Sequence, residues 1–293
     1  MLKHCLFSIP RYPSPIVLTK PSSLFLPVIT TSHSPLTECD YNLHKSNSTY
    51  FSDLDITRTH LVCALFQPGI DKLQHNKNTK LVLGPDGNAV KGRWLIMLGA
   101  VECSFKREIK PYETYEMWSR ILCWDRKWIY IVTHFVKAGT VRPKSYILGD
   151  GSWFGQRKYP VRKGEGDEID VDVDEKAIFA SAISKYVVKL GRLTVHPEVM
   201  MQASGMLPPK PGGWATISGG TAEGAHMNGN ANGNANGAVT GGDDKWDWQR
   251  IEAENEKGLK FAEHFAALDG LQGEFSGSKK AALGRYRDFL LSG

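Results

Sequence analysis

The sequence predicts an α+β fold: an antiparallel β-sheet, one long helix, and a flexible linker leading to a C-terminal helical extension. Three observations predict it. From residue 50, Tyr50, Leu54, Leu61 and Leu65 recur at helical spacing. Residues 95–137 hold three stretches with β-rich composition or period-two alternation, separated by turn and polar residues. Residues 228–238 read NGNANGNANGA, a composition that builds no core.

Residues 1–34 are apolar and rich in Ser and Pro, with Lys3, Arg11 and Lys20 as fixed charges and no acid. That composition has the flavour of a transit peptide for the mitochondrion or another organelle. Pro10, Pro13, Pro15 and Pro21 interrupt any amphipathic helix, and no apolar run reaches the roughly 18 residues of a membrane span. Residues 1–22 therefore read as an irregular or targeting segment, and residues 23–31 begin the first strand.

Residues 38–60 (ECDYNLHKSNSTYFSDLDITRTH) end a strand, turn through polar residues and open the long helix. Ser46 and Asn47 are suitable N-caps. The helix buries one side, while Asp53, Asp55, Arg58 and His60 supply polar positions. Residues 67–92 read as a loop, with an extended Leu81-Val82-Leu83 followed by a Gly84-Pro85-Asp86-Gly87 turn.

The β signal is clearest next. Residues 95–106 alternate Val101, Cys103 and Phe105 against Glu102, Ser104 and Lys106. Residues 112–122 place Tyr115, Met117, Ser119 and Ile121 on one face, and Glu116, Trp118 and Arg120 on the other. A polar connection flanked by Trp124 and Trp128 leads to a third strand over 129–137, and the three read as a meander. Residues 149–174 are a polar insertion. Residues 178–195 close the sheet, and His196-Pro197 ends them. The sheet-and-helix domain spans 23–208, the linker 209–244 and the extension 245–293. Within the extension, 246–268 and 278–291 read as helices. Ile251, Leu259, Ala262, Phe265 and Leu268 share a face that packs on the domain, and Gly258 weakens the first helix.

The chain has 293 residues and a net charge of +5, too diffuse for nucleic-acid binding and suited to an anionic small ligand. Five cysteines form no Cys-x-x-Cys pair and no zinc spacing. They read as reduced thiols, which points to the cytoplasm.

One pattern carries chemistry. Asp40, His44, Asn47 and Tyr50 form D-x-x-x-H-x-x-N-x-x-Y at the helix start. With Glu38 it resembles the motif D-x-D-x-x-G-H-V-N-N-x-x-Y of the 4-hydroxybenzoyl-CoA-thioesterase-like branch of the hotdog fold. Glu38 and Asp40 take the places of the two acids; His44, Asn47 and Tyr50 match directly. Leu43 replaces Gly, Lys45 replaces Val and Ser46 replaces the first Asn. The tryptophan-flanked hairpin that follows is similar to eukaryotic hotdog proteins, above all to fungal thioesterase-like proteins, some encoded in secondary-metabolite clusters.

The resemblance implies a hotdog fold, an antiparallel sheet wrapped around a long central helix. It implies an acyl-CoA or acyl-carrier-protein thioesterase, a homodimer or homotetramer with sites between subunits, and no metal or cofactor. It assigns catalysis to Asp40, His44 and Asn47, and acyl contact to Tyr50; Arg107 and Lys110 are phosphate contacts. A thioester carbonyl needs a carboxylate to activate water or to attack, and donors where negative charge develops on oxygen. A helix N-terminus offers such donors. Base and nucleophile both stay open for Asp40. Leu43 in place of Gly keeps a second reading in view, a non-catalytic module binding acyl-CoA or a protein. A third is an interaction protein acting through its C-terminal helices.

Overall fold

The computed structural model describes residues 20–141, 143, 146–147, 175–215 and 246–268. The readings on 1–19, on the 149–174 insertion, on the repeat at 228–238 and on a helix at 278–291 lie outside the described residues.

The long helix, α1, runs from Asn47 to Gln74. Tyr50, Leu54, Leu61 and Leu65 are all buried, as their spacing predicts. The helix does not stop where the loop was read from residue 67. It continues through Pro68, which has no N–H to give to the preceding turn. The Gly69 amide finds its acceptor outside the helix, donating to Ser204 Oγ at 3.0 Å. Ser204 caps the C-terminus of a short helix over Pro197–Ala203, here α3. A Cβ on Gly69 would stand 2.4 Å from Met200 O and from Ser204 Oγ, so glycine is what lets the two helices close. A four-residue helix, α2 (Asn76–Thr79), follows α1.

The strands are β1 (Val28–His33), β2 (Trp94–Phe105), β3 (Thr114–Trp124), β4 (Trp128–Lys137), β5 (Ile178–Leu190) and β6 (Leu193–Val195). Among the described residues they form one antiparallel sheet in the order β1-β3-β4-β5-β2, with β6 on β5. The meander read from the sequence holds for β3 and β4 and continues into β5. It fails for β2, which pairs with β5 and not with β3. Alternation marks a strand's two faces and says nothing of which neighbour it takes.

The predicted faces of β3 are observed. Tyr115, Met117, Ser119 and Ile121 are buried on the side that clasps α1, while Glu116, Trp118 and Arg120 are half-buried on the other. Two apolar clusters fill the space between sheet and helix. One gathers on the N-terminal half of α1 around Tyr50, Leu54, Tyr115 and Phe135, the other on its C-terminal half around Leu61, Phe66 and Ile131. Each fully buried side chain of this size contributes about 1.5–3 kcal/mol.

A buried polar belt separates the clusters. Thr57 Oγ1 lies 3.0 Å from Ser119 Oγ, which lies 2.7 Å from Thr133 Oγ1. Arg58 donates to Leu54 O, to Ser184 Oγ and to Asp55 Oδ1. Arg58 and Asp53, read as polar surface positions, are therefore buried. They sit on the same helix face as the leucines, where the sheet supplies partners for each.

The outer face of the sheet is covered by α4 (Trp248–Ala266). Ala262 and Phe265 pack on Leu122, Cys123 and Tyr130. Asn255 grips the backbone of Trp124 twice, accepting from its N–H at 2.7 Å and donating to its carbonyl at 3.1 Å. Gly258, read as a weak point, is the contact point. A Cβ there would lie 2.3 Å from Leu122 O.

Candidate active site

Asp40 does not end a strand. β1 stops at His33, and Asp40 lies in a turn whose two sides meet at a Cys39–Lys45 bridge. The turn closes on itself. The Asp40 N–H donates to His44 O at 2.9 Å, and the Leu43 N–H donates to Asp40 O at 3.0 Å. The Asp40 carboxylate accepts from the N–H groups of Asn42 (2.9 Å) and His44 (3.4 Å) through the same oxygen, Oδ1. Among the described residues no hydrogen bond reaches Oδ2. One carboxylate oxygen is thus fixed by the turn and the other has no hydrogen-bond partner among the described residues. The amides it takes belong to the turn, not to the first turn of α1.

Leu43 occupies the left-handed region, φ 61°. A leucine there costs about 1–2 kcal/mol, and glycine would cost nothing comparable. The turn thus keeps a glycine-like conformation despite the Leu.

The turn is tied to α1 by a residue that the pattern marked only as a departure. Lys45 is buried. Its Nζ donates to Glu38 Oε2 at 2.7 Å and lies 3.0 Å from Asp53 Oδ2. Tyr115 OH donates to the same Asp53 oxygen at 2.6 Å. The rings of Tyr50 and Tyr115 stand 5.5 and 5.3 Å from the ammonium. Burial pulls the Lys45 pKa down, but hydrogen bonds with Glu38, Tyr115 and Asp53 outweigh it and leave the pKa raised. A single sequence offers little signal for this: Glu38 and Lys45 are seven apart, and Asp53 is a turn and a half into the helix.

His44 Nε2 lies 3.0 Å from Glu108 Oε2. Asp40 and His44 thus meet through the His44 backbone, while the His44 ring is turned to Glu108 in the segment before β3. Asn47 is the first residue of α1, exposed at the surface. Ser46 is the N-cap, but its side chain makes no cap bond; its Oγ lies 3.0 Å from Ser48 Oγ instead. The Thr49 amide already donates to Ser46 O at 3.0 Å, whereas the amides of Asn47 and Ser48 have no acceptor among the described residues and can meet an incoming oxygen. Tyr50 is only 2% exposed and belongs to the core, with its ring 4.8 Å from Phe135 and 5.1 Å from Phe105. Burial raises its phenol pKa.

Arg107 and Lys110 do come together. They line a cleft of about 490 Å³ with Lys106, Glu108, Glu113, Lys137, Lys176 and Phe179. Five bases face two acids there. The cleft adjoins the Asp40–His44 turn through Glu108, and Phe179 connects it to the apolar cluster around Tyr50. Among the described residues no three His, Cys, Asp or Glu side chains group in a metal-binding arrangement, and no helix is long and apolar enough to cross a membrane.

A curled antiparallel sheet clasping one long helix, with a carboxylate turn at the helix start, is the hotdog arrangement. Residues 34–150 match the family described as the thioesterase-like superfamily. The chain is 37% identical over 262 residues to the probable thioesterase atnL of Emericella nidulans, covering 89% of this chain and 74% of that protein. It is 37% identical over 253 residues to the thioesterase poxG of Penicillium oxalicum, covering 86% of this chain and 70% of that one. Among solved structures, the YbaW probable thioesterase of Escherichia coli aligns with TM-score 0.37 at 9% identity, covering 61% of this chain and 96% of that one. The chain belongs to the thioesterase-like superfamily, with fungal thioesterases among its relatives.

Proposed function

We propose that this chain hydrolyses acyl thioesters of coenzyme A or of an acyl-carrier protein, in fungal secondary-metabolite or lipid metabolism, with Asp40 as the group that delivers water. The observation that carries the reading is the Asp40 carboxylate, held through Oδ1 by two amides of its own turn. Oδ2 takes a proton from water as the water oxygen attacks the thioester carbonyl. Negative charge moves to the carbonyl oxygen, where the open amides at the start of α1 receive it. Collapse breaks the C–S bond; the proton passes from Asp40 to the thiolate, giving acid and thiol. Direct attack by Asp40, with a mixed anhydride then hydrolysed, uses the same geometry. His44, braced by Glu108, and Asn47, at the helix tip, orient the thioester. Tyr50 backs the acyl end of the site. Arg107 and Lys110 hold the phosphates of the carrier arm, for which the basic cleft supplies the charge.

The site is completed in a homodimer. β2 is an edge strand, and Leu95, Met97, Leu98 and Phe105 on it are exposed, which supports pairing with a second copy. Cys39, Cys103 and Cys123 carry thiols in no disulfide among the described residues, which suits the cytoplasm.

The test is a panel of acyl-CoA and acyl-carrier-protein thioesters with Asp40→Asn, which keeps an oxygen for the turn amides. Turnover should vanish with the fold intact; undiminished turnover removes Asp40 from the mechanism. The second reading, a non-catalytic acyl-thioester-binding module, rests on Leu43. It requires binding without turnover across the whole panel.

A further inference from the structure

The rim of the site carries a set of side chains that hydrolysis does not use. Tyr41 is 93% exposed, Tyr112 64%, Leu43 63% and Leu36 52%. Hydrogen bonds hold their segments side by side: the Tyr112 N–H donates to Ser34 O at 2.6 Å, the Lys45 N–H donates to Ile109 O at 2.9 Å, and His44 meets Glu108. Water-facing aromatic and aliphatic groups gathered at one rim are a recognition surface more than a chance.

Backbone conformation gives an independent sign. Leu43 and Tyr112 both stand at φ 61°, in the left-handed region that residues of this bulk avoid. Each carries an exposed side chain, in the two segments that the His44–Glu108 pair joins. Strain of this kind persists where it serves a site.

We infer that this rim docks the acidic carrier protein that delivers the acyl thioester, so that Tyr41, Leu43, Tyr112 and Leu36 grip the protein body while the cleft takes its phosphopantetheine arm. The inference rests on the thioesterase reading and selects between its two carriers. Charge supports the choice. The cleft beside the rim places five bases against two acids, complementary to an acidic domain and to the phosphate of its arm. A second copy already has the exposed β2 edge to pair with.

The experiment compares two substrates with one acyl group: octanoyl-CoA, and an acidic holo-carrier protein loaded with octanoate. The full chain is tested beside Tyr41→Ser, Tyr112→Asn and the double variant. Asn tolerates the left-handed backbone, so the turn survives the loss of the ring. The double variant should lose about tenfold or more in kcat/KM on the carrier protein while changing less than about twofold on octanoyl-CoA. Tyr112→Phe should keep wild-type preference. Equal losses on both substrates, or none, overturn the inference. If neither substrate is hydrolysed, the hydrolase reading fails by itself. Calorimetric titration with the unloaded holo-carrier protein then decides: binding that the double variant loses supports docking, and absence of wild-type binding overturns it. Loss of binding to anionic phosphatidylserine vesicles, or dissociation of an oligomer, in place of lost carrier binding would assign the rim to a membrane or a second copy and also overturn it.

Discussion

The Lys45 ammonium lies 3.0 Å from the Asp53 carboxylate, with the lysine side chain wholly removed from water. This pair fastens the Asp40 turn to the first turns of α1. Removing Lys45 leaves the buried Asp53 carboxylate without a cation and with only the Tyr115 hydroxyl as partner, which costs about 3–5 kcal/mol, whereas Lys45 without Asp53 keeps Glu38. Lys45→Met should lower the urea midpoint accordingly. Lys45→Met with Asp53→Asn should regain part of the loss, because the neutral amide still accepts from Tyr115 OH. Additive losses in the double variant would show that the two groups are uncoupled.

Leu43→Gly relieves the left-handed backbone of the turn. The expected gain is about 1 kcal/mol, partly offset by the greater freedom of glycine in the unfolded chain. Thermal unfolding measures it. The same variant should weaken carrier-protein docking, since stability and recognition pull in opposite directions at this residue.

Stability should fall with acid below about pH 6.5, before the carboxylates titrate. Burial holds the pKa of His134 below that of a free histidine, and the positive Arg120 adds to the effect. His196 is also lowered, chiefly by burial and partly offset by Glu198. Above pH 6.5 both histidines are neutral folded or unfolded, and neither affects stability. As pH falls through the unfolded value, the unfolded chain binds protons that the folded chain refuses, so unfolding gains. Melting temperature followed from pH 8 to pH 5 should drop for the wild type. His134→Gln with His196→Asn should flatten that drop; an unchanged slope would exclude these two groups.

Gly258→Ala tests the seat of α4. Helix propensity alone predicts stabilisation of about 1 kcal/mol. The close approach to Leu122 O predicts the reverse, a loss of about 1–3 kcal/mol as the helix lifts. Trp124, gripped by Asn255, reports the docking through its fluorescence. Stabilisation would mean that the approach is looser than the contact distance implies.

Arg107→Ala and Lys110→Ala separate binding from chemistry. Each should raise KM for acyl-CoA by about tenfold, with little change in kcat, as expected for one charge-assisted phosphate contact. The wild-type KM should rise with salt and the variants' KM should rise less. A fall in kcat at constant KM would place these residues at the reacting carbonyl.

Periodicity carried much of this architecture. Tyr50, Leu54, Leu61 and Leu65 face the sheet because their spacing leaves them no alternative, and the two faces of β3 follow from strict alternation. Partners escaped the same reading. Pro68 argues for a helix end, yet Ser204, far along the chain, accepts the amide of the next residue and the helix goes on. Asp53 and Arg58 look like surface charges until Lys45, Tyr115 and Ser184 come to meet them. At the site, motif spacing brought Asp40 beside His44. The amides that hold Asp40, and the burial of Lys45, depend on contacts that neither residue type nor spacing encodes.

The hydroxyls of Thr57, Ser119 and Thr133, together with the Arg58–Ser184 bond, work as an alignment key between helix and sheet. Oily contacts alone would tolerate α1 sliding by a turn or rolling on its axis. Any such slip would strand these groups without partners, at about 1–3 kcal/mol apiece. The tip of α1 is thereby indexed to the strands, and the spacing between its amides and the Asp40 carboxylate is set from the middle of the molecule.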